Sequence, residues 1–337
     1  MLPFMPRTTA AITAIGKYLP EKVLDNAALE KMVETNDEWI TTRTGIKERR
    51  ILDVPGKATA FMATEAVRDL MKKSGLNPLD IDLLLVATAT PDMPVVATAA
   101  QVATNLGAKN AFAFDLQAAC SGFLYGMSVA SAYIESGRYK KVVLVGADMM
   151  SSIVDYTDRT TCVLFGDGAG AALLEPNSEG LGFVDEYLRS DGVGKDHLGI
   201  QAGGSLYPPT EKTIAEKKHY IYQDGRVVFK FAVSNMADAA AEIMSRNGLS
   251  HQDVRYLIAH QANKRIIDAT AKRMGIGDDK VLMNIGRYGN TTAATIPLLL
   301  CDYESQLRKG DNLVFAAFGA GFTWGAAFIK WAYTKQE

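Results

Sequence analysis

The chain has little cysteine, little histidine and almost no net charge. Its 337 residues include three Cys, four His, and 38 acidic against 36 basic side chains. Cys120, Cys162 and Cys301 are widely spaced, and no C-x-x-C pair occurs. That argues against a disulfide framework and against a structural zinc site, and it fits a reducing, cytosolic compartment. A formal charge of −2 supplies no global field to draw the chain to nucleic acid or to a membrane, so an acidic partner must be met by a local basic patch. The N-terminus, MLPFMPRTTAAITAIGKYLP, lacks the basic-then-apolar pattern of a secretory leader. No apolar run approaches the roughly 20 residues of a membrane span. No G-x-G-x-x-G opens a helix after the first strand and no P-loop is present, which argues against nucleotide-dependent hydride or phosphoryl transfer.

What is present is an ordinary globular composition, 48% apolar and 22% charged, with a long-range repeat. KKSGLNPLDIDLLLVAT (72–88) matches SRNGLSHQDVRYLIAHQ (245–261), pairing Gly75 with Gly248, Leu76 with Leu249 and Asp80 with Asp253. Each block follows a helical pattern and runs into an apolar strand. Further on, ACSGFLYGMSVASAYIESGRYKKVVLVGAD has the layout of GNTTAATIPLLLCDYESQLRKGDNLVFAAFGAG: a small-residue turn, a helix, a glycine stop and a strand. Any two α/β halves share a broad layout, but the constant offset points to duplication. We expect two βα-rich halves, 1–180 and 181–337.

The helices after Cys120 and Asn290 are apolar on nearly all sides and belong in a protein centre. In a duplicated α/β fold they can pair between two sheets with their N-termini together, Cys120 and Asn290 occupying corresponding places. Segment 190–219, rich in Gly, Pro and charge, reads as surface loops over the mouth of a site or at a subunit contact.

Most unpaired cysteines are small buried hydrophobes, and Cys162 and Cys301 read that way. Cys120 differs. Small residues surround it, as a tight strand-to-helix turn requires, and a helix N-terminus favours its thiolate. His197, His219 and His251 lie in polar segments and read as solvated. His260 ends the apolar strand RYLIAH, where open α/β sheets place ligand groups, although a hydrogen-bonded core histidine is the plainer alternative. Asn290 can cap the next helix or act with Cys120. The glycine-rich turn in FAAFGAGFTWG (315–325) can aim backbone N–H groups at an oxyanion, whereas FGDGAGAALLE reads as tight strand packing.

The motifs NDEWITTRTGIKERR, AACSGF, TDRTTCVLFGDGAG, AHQANKRI, YGNTTAA and FGAGFTWG occur in the order and spacing of β-ketoacyl-acyl carrier protein synthase III, which the chain resembles over essentially its whole length. The resemblance implies a thiolase-like α/β fold, a duplicated five-layer αβαβα arrangement with two central buried helices, usually as a homodimer. It implies that Cys120 accepts an acyl group from a short acyl-CoA. Malonyl-acyl carrier protein then loses CO2, and its carbanion attacks the acyl-cysteine to give a 3-oxoacyl-carrier protein. His260 and Asn290 would stabilise the enolate oxygen, and the N–H groups of Cys120 and Ala320 the acyl oxyanion. No metal or redox cofactor is implied, acyl-CoA being a substrate.

By the same resemblance, Trp39 and Arg159 stack the CoA adenine, Arg43 lies near its phosphates and Asn263 lines the pantetheine channel. Val95, Phe165 and Phe318 shape or gate the acyl pocket. Lys230, Gln261, Lys264, Arg265, Lys272 and Arg273 match a basic face for carrier-protein docking, although Lys264 and Asp268 also form an ordinary i,i+4 pair. Val95 stands where many members have Phe, in a position that shapes the neighbouring subunit's pocket, so primer length and branching stay open. Ala320 stands where Gly is common, and its N–H survives the change. The Cys-His-Asn set also occurs in condensing enzymes of secondary metabolism, and in chain order it matches cysteine hydrolases, though without their local cysteine signature.

Overall fold

A computed structural model describes residues 8–335. We number the strands of the two main sheets and the helices of eight residues or more. The first sheet contains β1 (Thr9–Tyr18), β2 (Leu83–Ala87), β3 (Phe112–Leu116), β4 (Val142–Asp148) and β5 (Gly168–Asn177). The second contains β6 (Gly182–Ser190), β7 (Tyr256–Ala259), β8 (Asn312–Gly319) and β9 (Thr323–Lys330). The helices are α1 (Asp37–Thr44), α2 (Thr59–Ser74), α3 (Thr98–Leu106), α4 (Gly122–Glu135), α5 (Gly225–Arg246), α6 (Lys264–Met274) and α7 (Thr295–Tyr303).

Strand order in the first sheet is β1-β5-β4-β2-β3 and in the second β6-β9-β8-β7. The orders correspond place for place. β2 runs parallel to β4 as β7 does to β8, and two further contacts in each sheet are antiparallel; β3 adds a second parallel contact, to β2, in the first sheet. The place of β3 is filled in the second sheet by a single parallel bridge from Val281 to Leu257. The change of sheet falls between Asn177 and Gly182.

Helices α2 and α3 pack on the outer face of the first sheet around Val67, Leu70, Val86 and Val143. Helices α5 and α6 pack on the outer face of the second around Met236, Ile243, Ile267 and Val314. Between the sheets, Phe123, Leu124 and Met127 of α4 join Ile296, Leu299 and Leu300 of α7 in one core with Leu83, Leu144, Leu313 and Phe315. The result is helix, sheet, helix pair, sheet, helix: the five-layer arrangement the motifs implied. Strands β2 and β4 are buried throughout because both faces of the sheet are covered, which is why they read as unbroken apolar runs.

The paired glycines of the repeat have a shared cause. Gly75 follows α2 with φ 71° and Gly248 lies just beyond α5 with φ 62°, a left-handed conformation that glycine adopts without Cβ strain. The same register corrects one correspondence. It pairs Ala119 (φ 46°) with Thr292 (φ 52°), each opening a short 3-10 turn that leads into a central helix. Cys120 therefore corresponds to Ala293, and Asn290 lies three residues upstream. Segment 190–219 is not wholly irregular: it holds a short strand, Leu198–Ile200, paired with Ile221–Gln223, and a helix, Glu211–Ala215.

Candidate active site

The end of β3 leads through Gln117 and Ala118 to the Cys120 turn, which is locked onto the far half of the chain. Ser121 Oγ donates to the Thr323 carbonyl at 3.0 Å, and Thr323 Oγ1 donates to the Ala118 carbonyl at 2.8 Å. A Cβ on Gly319 would lie 2.7 Å from Cys120 N, so only glycine lets β8 approach this closely. Cys120 is 8% exposed and lines a cavity of about 710 Å3.

His260 and Asn290 line the same cavity. His260 follows β7 and is anchored through its N–H to the Ala316 carbonyl at 2.8 Å. Its Nδ1 lies 2.7 Å from Thr295 Oγ1 at the start of α7. Burial pushes its pKa down to about 3, so the ring is neutral at ordinary pH. Asn290 is pinned to the first half, its N–H donating to the Leu164 carbonyl at 2.9 Å and its carbonyl accepting from Gly166 N–H at 3.0 Å. Its Oδ1 accepts from Thr292 N–H at 2.9 Å, and its carboxamide acts on the Cys120 thiol to lower its pKa. Asn290 thus braces the turn before α7 rather than capping that helix, whose N-cap is Ala294.

The ionisation expected of Cys120 needs correcting. Burial pushes the thiol up to about 12, and the negative charge of Asp148 adds to this; the Cys120 N–H and the Asn290 amide pull it down by less. Desolvation outweighs the helix N-terminus.

Phe165, Phe318, Ala320, Asn263, Trp39, Arg43 and Arg265 also line the cavity. The Arg43 guanidinium lies 4.5 Å from the Trp39 ring centre and that of Arg159 5.2 Å, on the indole at the cavity rim. Asn263 caps α6 through Arg265 N–H at 2.9 Å. Leu198, Gly199 and Ile200 bring segment 190–219 to the wall. Val95 is not in the cavity; it is fully exposed, with φ 77°, beside the exposed Met93 and Val96.

The basic face is smaller than expected. Gln261 is 0% exposed: its Nε2 donates to the Ala259 carbonyl at 2.8 Å, and its Oε1 accepts from the N–H groups of Asn284 and Ile285 at 3.1 and 3.2 Å. It ties two loops together and is unavailable for docking. Lys264 is paired with Asp268 at 2.7 Å and Arg273 with Asp238 at 3.1 Å. Lys230, Arg265 and Lys272 are exposed, and no ion pair engages them among the described residues. Arg265 stacks 4.3 Å from the Phe229 ring centre.

Of the other histidines, His251 is exposed, but His197 and His219 are half-buried rather than solvated. His219 Nδ1 is buried without a partner, its ring against Tyr220. Cys162 is core as read, and Cys301 packs against the central core. The sequence reading passed over Thr295, which looks like the first turn of an apolar helix, and Asp148, which looks like the stop of a strand. It also passed over Arg226, a third arginine at the cavity wall beside Arg43 and Arg265.

The profile of the 3-oxoacyl-acyl-carrier-protein synthase III family matches residues 114–192, and its C-terminal profile matches residues 244–331. A Bacteroides thetaiotaomicron protein named beta-ketoacyl-acyl-carrier-protein synthase III 2 is 55% identical over 333 residues, 99% of each chain. The crystal structure of 3-oxoacyl-acyl-carrier-protein synthase III from Aquifex aeolicus is 40% identical with a TM-score of 0.88, covering 96% of this chain and all of that one. The priming β-ketosynthase of the R1128 polyketide pathway is 30% identical with a TM-score of 0.89, over 99% of each chain.

Proposed function

The chain belongs to the 3-oxoacyl-acyl-carrier-protein synthase III family, and from that premise we propose that it initiates fatty acid synthesis by condensing a short acyl-CoA with malonyl-acyl carrier protein. The observation that carries this reading is the meeting of Cys120, His260 and Asn290 in one cavity, with the Asn290 amide acting on the Cys120 thiol.

In the first half-reaction Cys120 attacks the thioester carbonyl, the acyl group passes to sulfur and CoA leaves with the proton. The N–H groups of Cys120 and Ala320 would receive the oxyanion. In the second, malonyl-carrier protein loses CO2, so no base is needed to remove a carbon-bound proton. The enolate oxygen needs donors instead. A neutral His260 suits this in the tautomer that carries its proton on Nε2, with Thr295 Oγ1 holding the ring in place 2.7 Å from Nδ1. The Asn290 amide is the second donor. The α-carbon attacks the acyl carbonyl and Cys120 is released as thiolate.

Trp39 and Arg159 offer a flat ring and a guanidinium for an adenine, with Arg43 near the phosphates. Asn263 would line the pantetheine channel, and Phe165 and Phe318 the acyl end. Lys230, Arg265 and Lys272 form the reduced basic face we assign to an acidic carrier protein, and Arg226 supplements it. We further propose a homodimer in which Val95 enters the partner's acyl pocket. No helix among the described residues is long and apolar enough to cross a membrane. The three unpaired cysteines agree with the cytoplasm.

A cysteine peptidase would use an asparagine to orient its histidine. Here Thr295 holds His260 and Asn290 acts on the Cys120 thiol, which favours condensation. In the test, Cys120→Ser should abolish transfer of labelled acetyl from acetyl-CoA. His260→Ala, Asn290→Ala and Thr295→Val should still load acetyl yet condense slower by about 10²-fold for each donor lost. Equal loss of loading and condensation in His260→Ala or Asn290→Ala would contradict this division of roles. Replacing malonyl-carrier protein with malonyl-CoA separates this reading from secondary metabolism.

A further inference from the structure

The chemistry above makes no use of Asp148, a wholly buried carboxylate at the end of β4. Its Oδ1 accepts from Ala89 N–H at 2.7 Å and Thr90 N–H at 3.1 Å, and from the hydroxyls of Thr88 and Thr90 at 3.0 Å each. Its Oδ2 accepts from the Thr292 hydroxyl and from Ala293 N–H at 3.3 Å. Three of these partners are backbone N–H groups, which can only donate, so the site matches an ionised, acceptor-only carboxylate. Burial works the other way and raises its pKa.

The partners divide between the two halves of the molecule. Four belong to the 88–90 loop of the first half. Two belong to the turn that carries Asn290, where Thr292 holds a left-handed conformation (φ 52°) unfavourable to a β-branched residue. Thr292 N–H in turn holds Asn290 Oδ1. With that oxygen taken, the NH2 end of the carboxamide faces Cys120. A line of hydrogen bonds therefore runs from Asp148 through Thr292 to Asn290, which lines the same cavity as Cys120.

We propose that Asp148 is a positioning residue for condensation, fixing the Thr292 turn so that the Asn290 amide points at the reacting atoms. This serves condensation and leaves acyl loading on Cys120 in place. The inference rests on the reading of Asn290 as an amide donor.

The two half-reactions test this. Asp148→Asn keeps the shape, removes the charge and sets an NH2 group among donors. We expect condensation with malonyl-carrier protein to fall about 10²-fold. Loading of labelled acetyl onto Cys120 should be retained, which a general structural defect would not allow. Thr292→Val removes one hydroxyl of the same contact, so condensation should fall while loading is retained. Asn290→Ala run alongside tests the premise: normal condensation there overturns the amide reading, and this inference with it. If Asn290→Ala is impaired, normal condensation in the Asp148 or Thr292 variant overturns the positioning role alone. Equal loss of loading and condensation in Asp148→Asn likewise overturns it. Where Asp148→Asn does not fold, Thr292→Val decides, retained condensation overturning the proposal.

Discussion

At Cys120 two physical effects oppose each other. A helix N-terminus and two hydrogen bonds favour the thiolate; burial and the Asp148 charge favour the thiol, and they win, to about 12. The thiolate fraction below that value grows tenfold per pH unit. Iodoacetamide modification of the unacylated protein should therefore accelerate about tenfold per unit from pH 7 to 10. A plateau near pH 8 would refute the desolvated thiol. His260, pushed down to about 3, should add no inflection between pH 5 and 8. Cys120, His260 and Asn290 were legible because small-residue and polar motifs interrupt apolar runs where strands give way to helices. Gln261 was not, since its motif, AHQANKR, looks wet, and only the fold shows its amide spanning two loops. Thr295 and Asp148 escaped for the same reason: each has a commonplace local role, and the second role exists only across the seam between halves.

Among the elements, the two central helices meet tip to tip. The nearest approach is mediated by glycines. A Cβ on Gly122 would lie 3.5 Å from that of Ala293, and one on Gly146 would lie 2.2 Å from the Ala293 carbonyl oxygen. Gly146→Ala thus drives a side chain from β4 into the turn below Asn290. We expect it to lower unfolding free energy by about 1–3 kcal/mol in urea titration, and to slow condensation more than loading, because the displaced turn carries the amide. Unchanged stability would mean that the turn yields freely. The sequence offset predicted this pairing of helices and the equivalence of the sheets. It failed on the register at Asn290, because matching by residue chemistry set an asparagine against a cysteine, whereas the left-handed turn positions match Ala119 with Thr292.

For the whole molecule, the exposed loop of Met93, Val95 and Val96 is the feature a lone chain leaves unexplained. A valine at φ 77°, with its side chain in solvent, is held by something other than local preference. We expect the protein to sediment as a dimer, and Val95→Asp to weaken that dimer and alter the preferred acyl-CoA length. A monomer with unaltered chain-length preference would remove Val95 from the pocket. The layers were readable from the repeat, and the cavity was not. Its wall draws on α1, α5, α6, both short strands of segment 198–223 and the Cys120 turn, residues brought together only by the closing of two sheets on one helix pair.

That shared wall has a consequence for traffic. Cys120 and the residues assigned to CoA line one cavity among the described residues, so an arriving carrier arm shares the path by which the departing thiol leaves. Turnover is then a queue: one visitor goes before the next is served, and an excess of either carrier delays the other.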